Sequence, residues 1–381
     1  MSSTGAISRI FYIAEKMLCH LTEPTLLLDE KKCRQNIQRM ADRARRFQID
    51  FRPHFKTHQS REIGRWFRDT GVDRITVSSV RMAHYFAQDG WRDITIAFPT
   101  NLREIQQINA LLYTGVTLEL LADQLETITY LDQHLIEPVG IYIKINTGNM
   151  RVGLQPHETQ RLDQIVELIT ESSRLHLVGL LGHAGHSYDA RSHYAINLVH
   201  EESVKAMDEL RQRYRSQHPD LIVSLGDTPG CSISENFEGV DEMRPGNFVF
   251  YDLMQAQITA CSPEEIAVVM ACPVIAKYPE RREIAFYGGA IHFSKDRLHS
   301  ENGDTYYGLP VRWTDGGWEL DEVGYVRKLS QEHGILRLHN GNLDAFQVGD
   351  MIGILPVHSC LTANLMKGYR TLQGRRIGMM Q

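Results

Sequence analysis

From residue 49 to about residue 250 the chain alternates short apolar runs with longer amphipathic ones, and this beat restricts the fold more than any other feature. The strand-like runs are "IDFRP", "RITVSS", "DITIAF", "TLELLA", "GIYIKIN", "LHLVGLLG", "LIVSLG" and "MRPGNFVF", eight in all. Between them lie helix-like stretches; in one, Leu162, Ile165, Val166 and Ile169 fall at i, i+3, i+4 and i+7 and predict a single buried stripe. Eight such repeats predict an α/β chain built on a (β/α)8 TIM-type barrel, although a doubly wound open sheet gives much the same rhythm. Beyond about residue 260 the helical period fades. Runs such as "IAVVMACPVIA", "REIAFYGG" and "MIGILPV" are separated by the turn signals Asn302-Gly303, Asp315-Gly316-Gly317 and Asn340-Gly341, which predicts a C-terminal, mostly β domain.

A chain of 381 residues with 42% hydrophobic content can bury a large core. A net charge of −6 and a pI near 6.3 argue against a nucleic-acid partner, so any anionic ligand must be met locally. The six cysteines, Cys19, Cys33, Cys231, Cys261, Cys272 and Cys360, are scattered, which suits reduced thiols in the cytoplasm. The N-terminal "ISRIFYIAEKMLCHL" is interrupted by charges, and no run reaches the ~18 to 20 apolar residues of a membrane span.

Lys56 is the first candidate for chemistry. "FRPHFKTHQS" places Arg52, His54, Lys56 and His58 within seven positions, four potential cations that repel unless they face solvent, share an anion or include an uncharged lysine. In the barrel reading Lys56 lies just past the first barrel strand, on the rim where such barrels carry their sites. A lysine held near other cations loses stability in its protonated form and becomes a usable nucleophile toward an aldehyde.

The segments "PTLLLD", "RPHFKTH", "NTGNMRVGL", "GHAGHSY", "GDTP", "MRPGNFVFYD", "LSQEHG" and "LPVHSC" occur in one order along the chain. That order resembles the D-serine dehydratase/D-threonine aldolase group of fold-type III pyridoxal-phosphate enzymes. The resemblance implies an alanine-racemase-like fold. Residues 1–30 would associate with the β domain, 31–255 would form the cofactor-binding barrel, and 256–381 the C-terminal β domain with a metal site. It also implies pyridoxal 5'-phosphate on Lys56, a small D-amino acid as substrate, and a head-to-tail homodimer.

In that frame "SLGDTPG" offers Gly226, Asp227 and Thr228 as a phosphate cradle. Gly246 and Asn247 join it by family position, and Arg151 matches the family arginine near the cofactor ring. His54 falls in the lysine motif and is expected at the cofactor. His183, His186 and Tyr188 in "GHAGHSY" are expected on the same rim, for ring contact and substrate orientation, with His186 a candidate base. "YGGAIHFSKD" departs from the aldolase branch, which carries a "DAG"-type run there.

His358 and Cys360 in "PVHSC" are separated by one position at the end of a β run, and a strand's period of two would send both to one face. Imidazole and thiolate are good zinc donors. Taken alone, H-x-C also fits a core cysteine beside a surface histidine. The resemblance implies a metal here, Zn2+ in dehydratases and harder ions such as Mn2+ or Mg2+ in aldolases. The implied activity is a lyase acting on 3-hydroxy-D-amino acids, a D-serine dehydratase type giving a keto acid and ammonia. A D-threonine aldolase type is the alternative, with a racemase or a non-catalytic pyridoxal-phosphate carrier further off.

Overall fold

The computed structural model describes residues 18–339 and 343–381. Most of the N-terminal stretch "ISRIFYIAEKMLCHL" and the Asn340-Gly341 turn signal lie outside the described residues. The chain forms two compact units. One takes Ile37–Phe248, the other residues 18–36 with Val249–Met379. No helix among the described residues is long and apolar enough to cross a membrane.

The first strand, β1 (Thr25–Leu28), belongs to the second unit. The other unit holds β2 (Asp50–Phe51), β3 (Arg74–Val77), β4 (Asp93–Pro99), β5 (Thr117–Ala122), β6 (Val139–Lys144), β7 (Leu175–Gly182), β8 (Ile222–Leu225) and β9 (Glu242–Met243). All eight pair in parallel, each with its neighbour in sequence from β3 to β9, and β9 pairs with β2. The ring closes through a short parallel bridge between His54 and Thr76. There Phe55 N–H donates to the Thr76 carbonyl and Thr76 N–H to the Pro53 carbonyl, both at 2.9 Å. These eight strands are the eight apolar runs of the sequence. "MRPGNFVF" is the exception in length: it is strand only at its start, and Asn247–Val249 is a 3-10 turn. Pro245 has no N–H to give a ladder, which ends the pairing. The stripe Leu162, Ile165, Val166 and Ile169 is buried on helix Thr159–Glu171.

The barrel interior is polar on one level. Arg52 from β2's end is 2% exposed, and its Nε donates to Glu242 Oε2 of β9 at 2.5 Å. Its other nitrogens reach Asp93 of β4 and Glu119 of β5. Tyr142 of β6 and Ser224 of β8 donate to Glu242 Oε1 at 3.3 and 2.6 Å. Residues from six strands can converge only inside the ring. Burial pushes the Glu119 carboxyl up to about 7, although Arg52 opposes it.

The second unit is a mixed sheet around Val268–Tyr278, which pairs with β1, with Met351–Pro356 and, through a ladder bulged between Val274 and Ala276, with Glu283–Tyr287. Gly308–Thr314 and Gly317–Leu320 form a hairpin across the expected Asp315-Gly316 turn. Replacing Arg52 with alanine would leave Glu242 and Glu119 buried without their cation, and should cost about 3–5 kcal/mol in denaturant unfolding. Unchanged stability would contradict the network's role.

Candidate active site

The seam at His54 and Thr76 displays Lys56 on the barrel rim. Of the four clustered cations, three are accounted for otherwise. Arg52 is paired inside the barrel. His58 is fully buried among Phe55, Phe67 and Phe86, its Nδ1 accepts from Ser60 N–H at 3.1 Å, and burial pushes it down to about 3. Burial, then the charges of Lys56 and Arg244, hold His54 well below the usual imidazole range. Both histidines are therefore neutral. Lys56 alone of the four has an exposed side chain.

Around it the strand ends bring the expected residues to one rim. His183 follows β7, and its Nδ1–H donates to the Gly226 carbonyl, which fixes its tautomer. Gly226 approaches the Arg244 carbonyl so closely that a Cβ would stand 2.9 Å from it, and a Cβ on Gly246 would stand 2.9 Å from the His54 carbonyl. Only glycine permits these two approaches. Thr228 Oγ1 accepts from Phe248 N–H at 3.3 Å, so the loops after β8 and β9 are joined. Asn247 is buried in the same loop. The Asp227 carboxylate is engaged within the protein: Oδ1 accepts from Gly230 N–H at 2.6 Å and from Ser187 Oγ at 2.9 Å. Burial raises its pKa. His186 lies against Gly148, and its Nδ1 is buried without a hydrogen-bond partner among the described residues. Tyr188 is half-buried on the turn Gly185–Asp189. Arg151 is exposed, on a loop held by Asn146 Oδ1, which accepts from Gly148 and Met150 N–H at 3.1 and 3.0 Å.

Two cations were missed. Lys144 ends β6, is 5% exposed, and among the described residues its ammonium donates to backbone carbonyls, Ile145 at 2.6 Å and Leu181 at 3.4 Å. Burial, then Arg244 and Arg151, push it down to about 7. Arg244 is buried and donates to Ser224 Oγ at 2.5 Å and to the Gly182 carbonyl at 2.6 Å. A charge inside an otherwise apolar strand run, as in "GIYIKIN", is the signal that could have found Lys144. The field here is positive. After burial, the charges that hold His183 low are those of Lys56, Lys144 and Arg151. A rim so charged, with glycine-lined loops, fits a dianionic phosphate and a carboxylate.

The second unit contains His358 and Cys360, but the strand argument for them fails. The strand ends at Pro356; His358 caps helix Ser359–Met366, with φ −132° and ψ 100°, and Cys360 sits in its first turn. A period of two has no meaning across that change of backbone. The side chains still meet: Cys360 and Asp296 both hydrogen-bond His358, Asp296 Oδ2 standing 2.6 Å from Nδ1. Burial works to lower the imidazole, but Asp296 and then Cys360 outweigh it and push it up to about 11. Metal binding would release that proton. Among the described residues no group of three or more His, Cys, Asp and Glu is placed to hold an ion. An imidazole beside a thiol fits a metal that fills its remaining positions from solvent or substrate.

A closed parallel barrel with a mixed β unit, and a lysine displayed at the barrel seam, define the alanine-racemase-like fold. The chain belongs to the alanine racemase N-terminal domain family, matched over residues 28–253, and residues 267–372 match the putative serine dehydratase domain. It is 26% identical to D-serine dehydratase of Dictyostelium discoideum, over 93% of this chain and 94% of that protein. The structure of D-threo-3-hydroxyaspartate dehydratase from Delftia sp. HT23 superposes with a TM-score of 0.88 at 26% identity, covering 96% of this chain and 99% of that one. A cysteine-to-alanine variant of that enzyme, in the metal-free form, gives 0.89 at 25%, over 96% and 99%. D-threonine aldolase from Filomicrobium marinum shares the fold, with a TM-score of 0.79 at 19% identity over 93% and 94%.

Lys144 generates a pH prediction. Its folded pKa lies below its unfolded value, so the unfolded chain binds the extra proton between about pH 7 and 10. Relative to Lys144→Met, the cofactor-free protein should gain stability as pH rises through that window, on the order of a few kcal/mol. Parallel unfolding curves for the two proteins across the window would contradict this.

Proposed function

We propose that the chain is a pyridoxal-phosphate- and metal-dependent lyase that dehydrates 3-hydroxy-D-amino acids, of the D-serine dehydratase type. The observation that carries the reading is Lys56, exposed at the barrel seam beside two neutral histidines in a positive field. The names of the D-serine and D-threo-3-hydroxyaspartate dehydratases support the substrate class, and the metal-free form of a cysteine variant of the latter supports a metal.

When bound, pyridoxal phosphate on Lys56 supplies the electron sink for a carbanion at Cα, and a divalent ion on His358 and Cys360 supplies Lewis acidity toward a β-hydroxyl. The protein's own groups do the rest. The loops carrying Gly226, Thr228, Gly246 and Asn247 would hold the phosphate, and the buried Arg244 would add positive charge. His54, His183 and Tyr188 would contact the ring, and Arg151 would help orient it. Lys56 accepts the α-proton as an amine. His186, with an uncommitted nitrogen, is the residue for moving a second proton. Hydroxide departs from Cβ, and hydrolysis of the resulting enamine gives a keto acid and ammonia, so the water lost is regained. Zn2+ is the metal we assign, because thiolate with imidazole suits it better than Mn2+ or Mg2+. We further propose a homodimer, and a cytoplasmic location in keeping with six cysteines and no disulfide.

Loaded protein given D-serine should release keto acid and ammonia in equal amounts, and chelation should suppress both. Full activity without metal would reject the metal's role. Glycine and an aldehyde from D-threonine, with no ammonia from D-serine, would make the chain an aldolase. Lys56→Ala should lower turnover roughly a thousandfold or more. Light scattering should give twice the chain mass for active protein; a monomer would reject the dimer.

A further inference from the structure

His358 stands where strand Met351–Pro356 gives way to helix Ser359–Met366, and its ring is met by a residue from a separate turn of the same unit. Asp296 Oδ2 lies 2.6 Å from His358 Nδ1. Backbone features fix the carboxylate there. Ser294 takes φ +74° and ψ −174°, a region occupied almost only by glycine, and its hydroxyl accepts from Asp296 N–H at 3.2 Å. Thr362 Oγ1 donates to the Phe293 carbonyl at 3.1 Å, which ties the helix after His358 to the turn that leads to Asp296. From another side, buried Asp252 holds the helix start: its Oδ2 accepts from Ser359 N–H at 2.9 Å and from Ser359 Oγ at 3.2 Å.

Carboxylate and imidazole are thus brought together by the backbone that carries them. Their side chains are 37% and 25% exposed, and an ion pair at that exposure adds little stability. A strained serine persists only where its surroundings impose it, and such sites cluster where function needs a fixed geometry. With Nδ1 bound to the carboxylate, Nε2 is the imidazole nitrogen left to ligate.

We propose that Asp296 is a positioning residue that fixes the tautomer and ring angle of His358, so that Nε2 becomes a metal donor beside the Cys360 sulfur while Asp296 stays outside the ligand set. The inference rests on the metal reading given above. It is tested on metal-stripped, full-length protein carrying its pyridoxal phosphate. Zn2+ affinity is measured by competition with a chromophoric chelator, and Co2+ added alone reports the ligand set through its visible d–d bands. Asp296→Ala should weaken Zn2+ about 10- to 100-fold. Asp296→Asn, which keeps an acceptor oxygen, should recover most of that loss, and the Co2+ bands at saturation should be the same in all three proteins. An unchanged Zn2+ affinity in Asp296→Ala would overturn the inference. So would altered Co2+ bands, which would make Asp296 a ligand, and so would an Asp296→Asn protein as weak as Asp296→Ala. Wild-type protein that takes up neither ion would instead overturn the metal reading itself.

Discussion

Closure of the barrel at one short seam governs the rest of this structure. β2 contributes only Asp50 and Phe51 to the parallel ladder with β9. The remaining step to β3 is made by Pro53, Phe55 and Thr76 through two backbone hydrogen bonds. Pro53 offers no N–H, so its carbonyl alone is used, and the chain turns outward directly after the bridge. Lys56 lies in that turn, residues 55–58, and is its one exposed side chain. Its display on the rim is therefore a consequence of how the ring closes.

The polar layer beneath explains how a charged strand end can serve as that seam. A guanidinium beside Glu242, Glu119 and Asp93 is fully matched, so Arg52 adds no repulsion to the rim above it. Neutral His54 and His58 remove two more of the four apparent cations. What remains on the rim is Lys56 with Arg151, Lys144 and Arg244, and a bound dianion would relieve their mutual repulsion.

Much of this was legible in the sequence because parallel barrel strands are buried on both faces and read as nearly continuous apolar runs. All eight runs became strands. The rim residues followed from strand ends, since side chains just past parallel strands share one end of a barrel. Three things were not legible. Which carboxylates meet Arg52 depends on strands up to 190 residues away. Lys144 lay inside an apolar run, where burial rather than motif reveals it. Asp296 is 62 residues from His358, and the pairing of His358 with Cys360 was expected from a strand that ends two residues too early. The start of helix Ser359–Met366, just after Pro356 and Val357, brings them together instead.

We propose that the seam lysine, and no other, carries the cofactor. Lys144 is its natural competitor: it is buried, deprotonated more readily than an ordinary lysine, and acts on the same His183. Borohydride reduction of protein loaded with pyridoxal phosphate, followed by peptide mass spectrometry, separates the two. A stable pyridoxyl adduct is expected on the peptide containing Lys56. An adduct on Lys144, or on neither lysine, would contradict it.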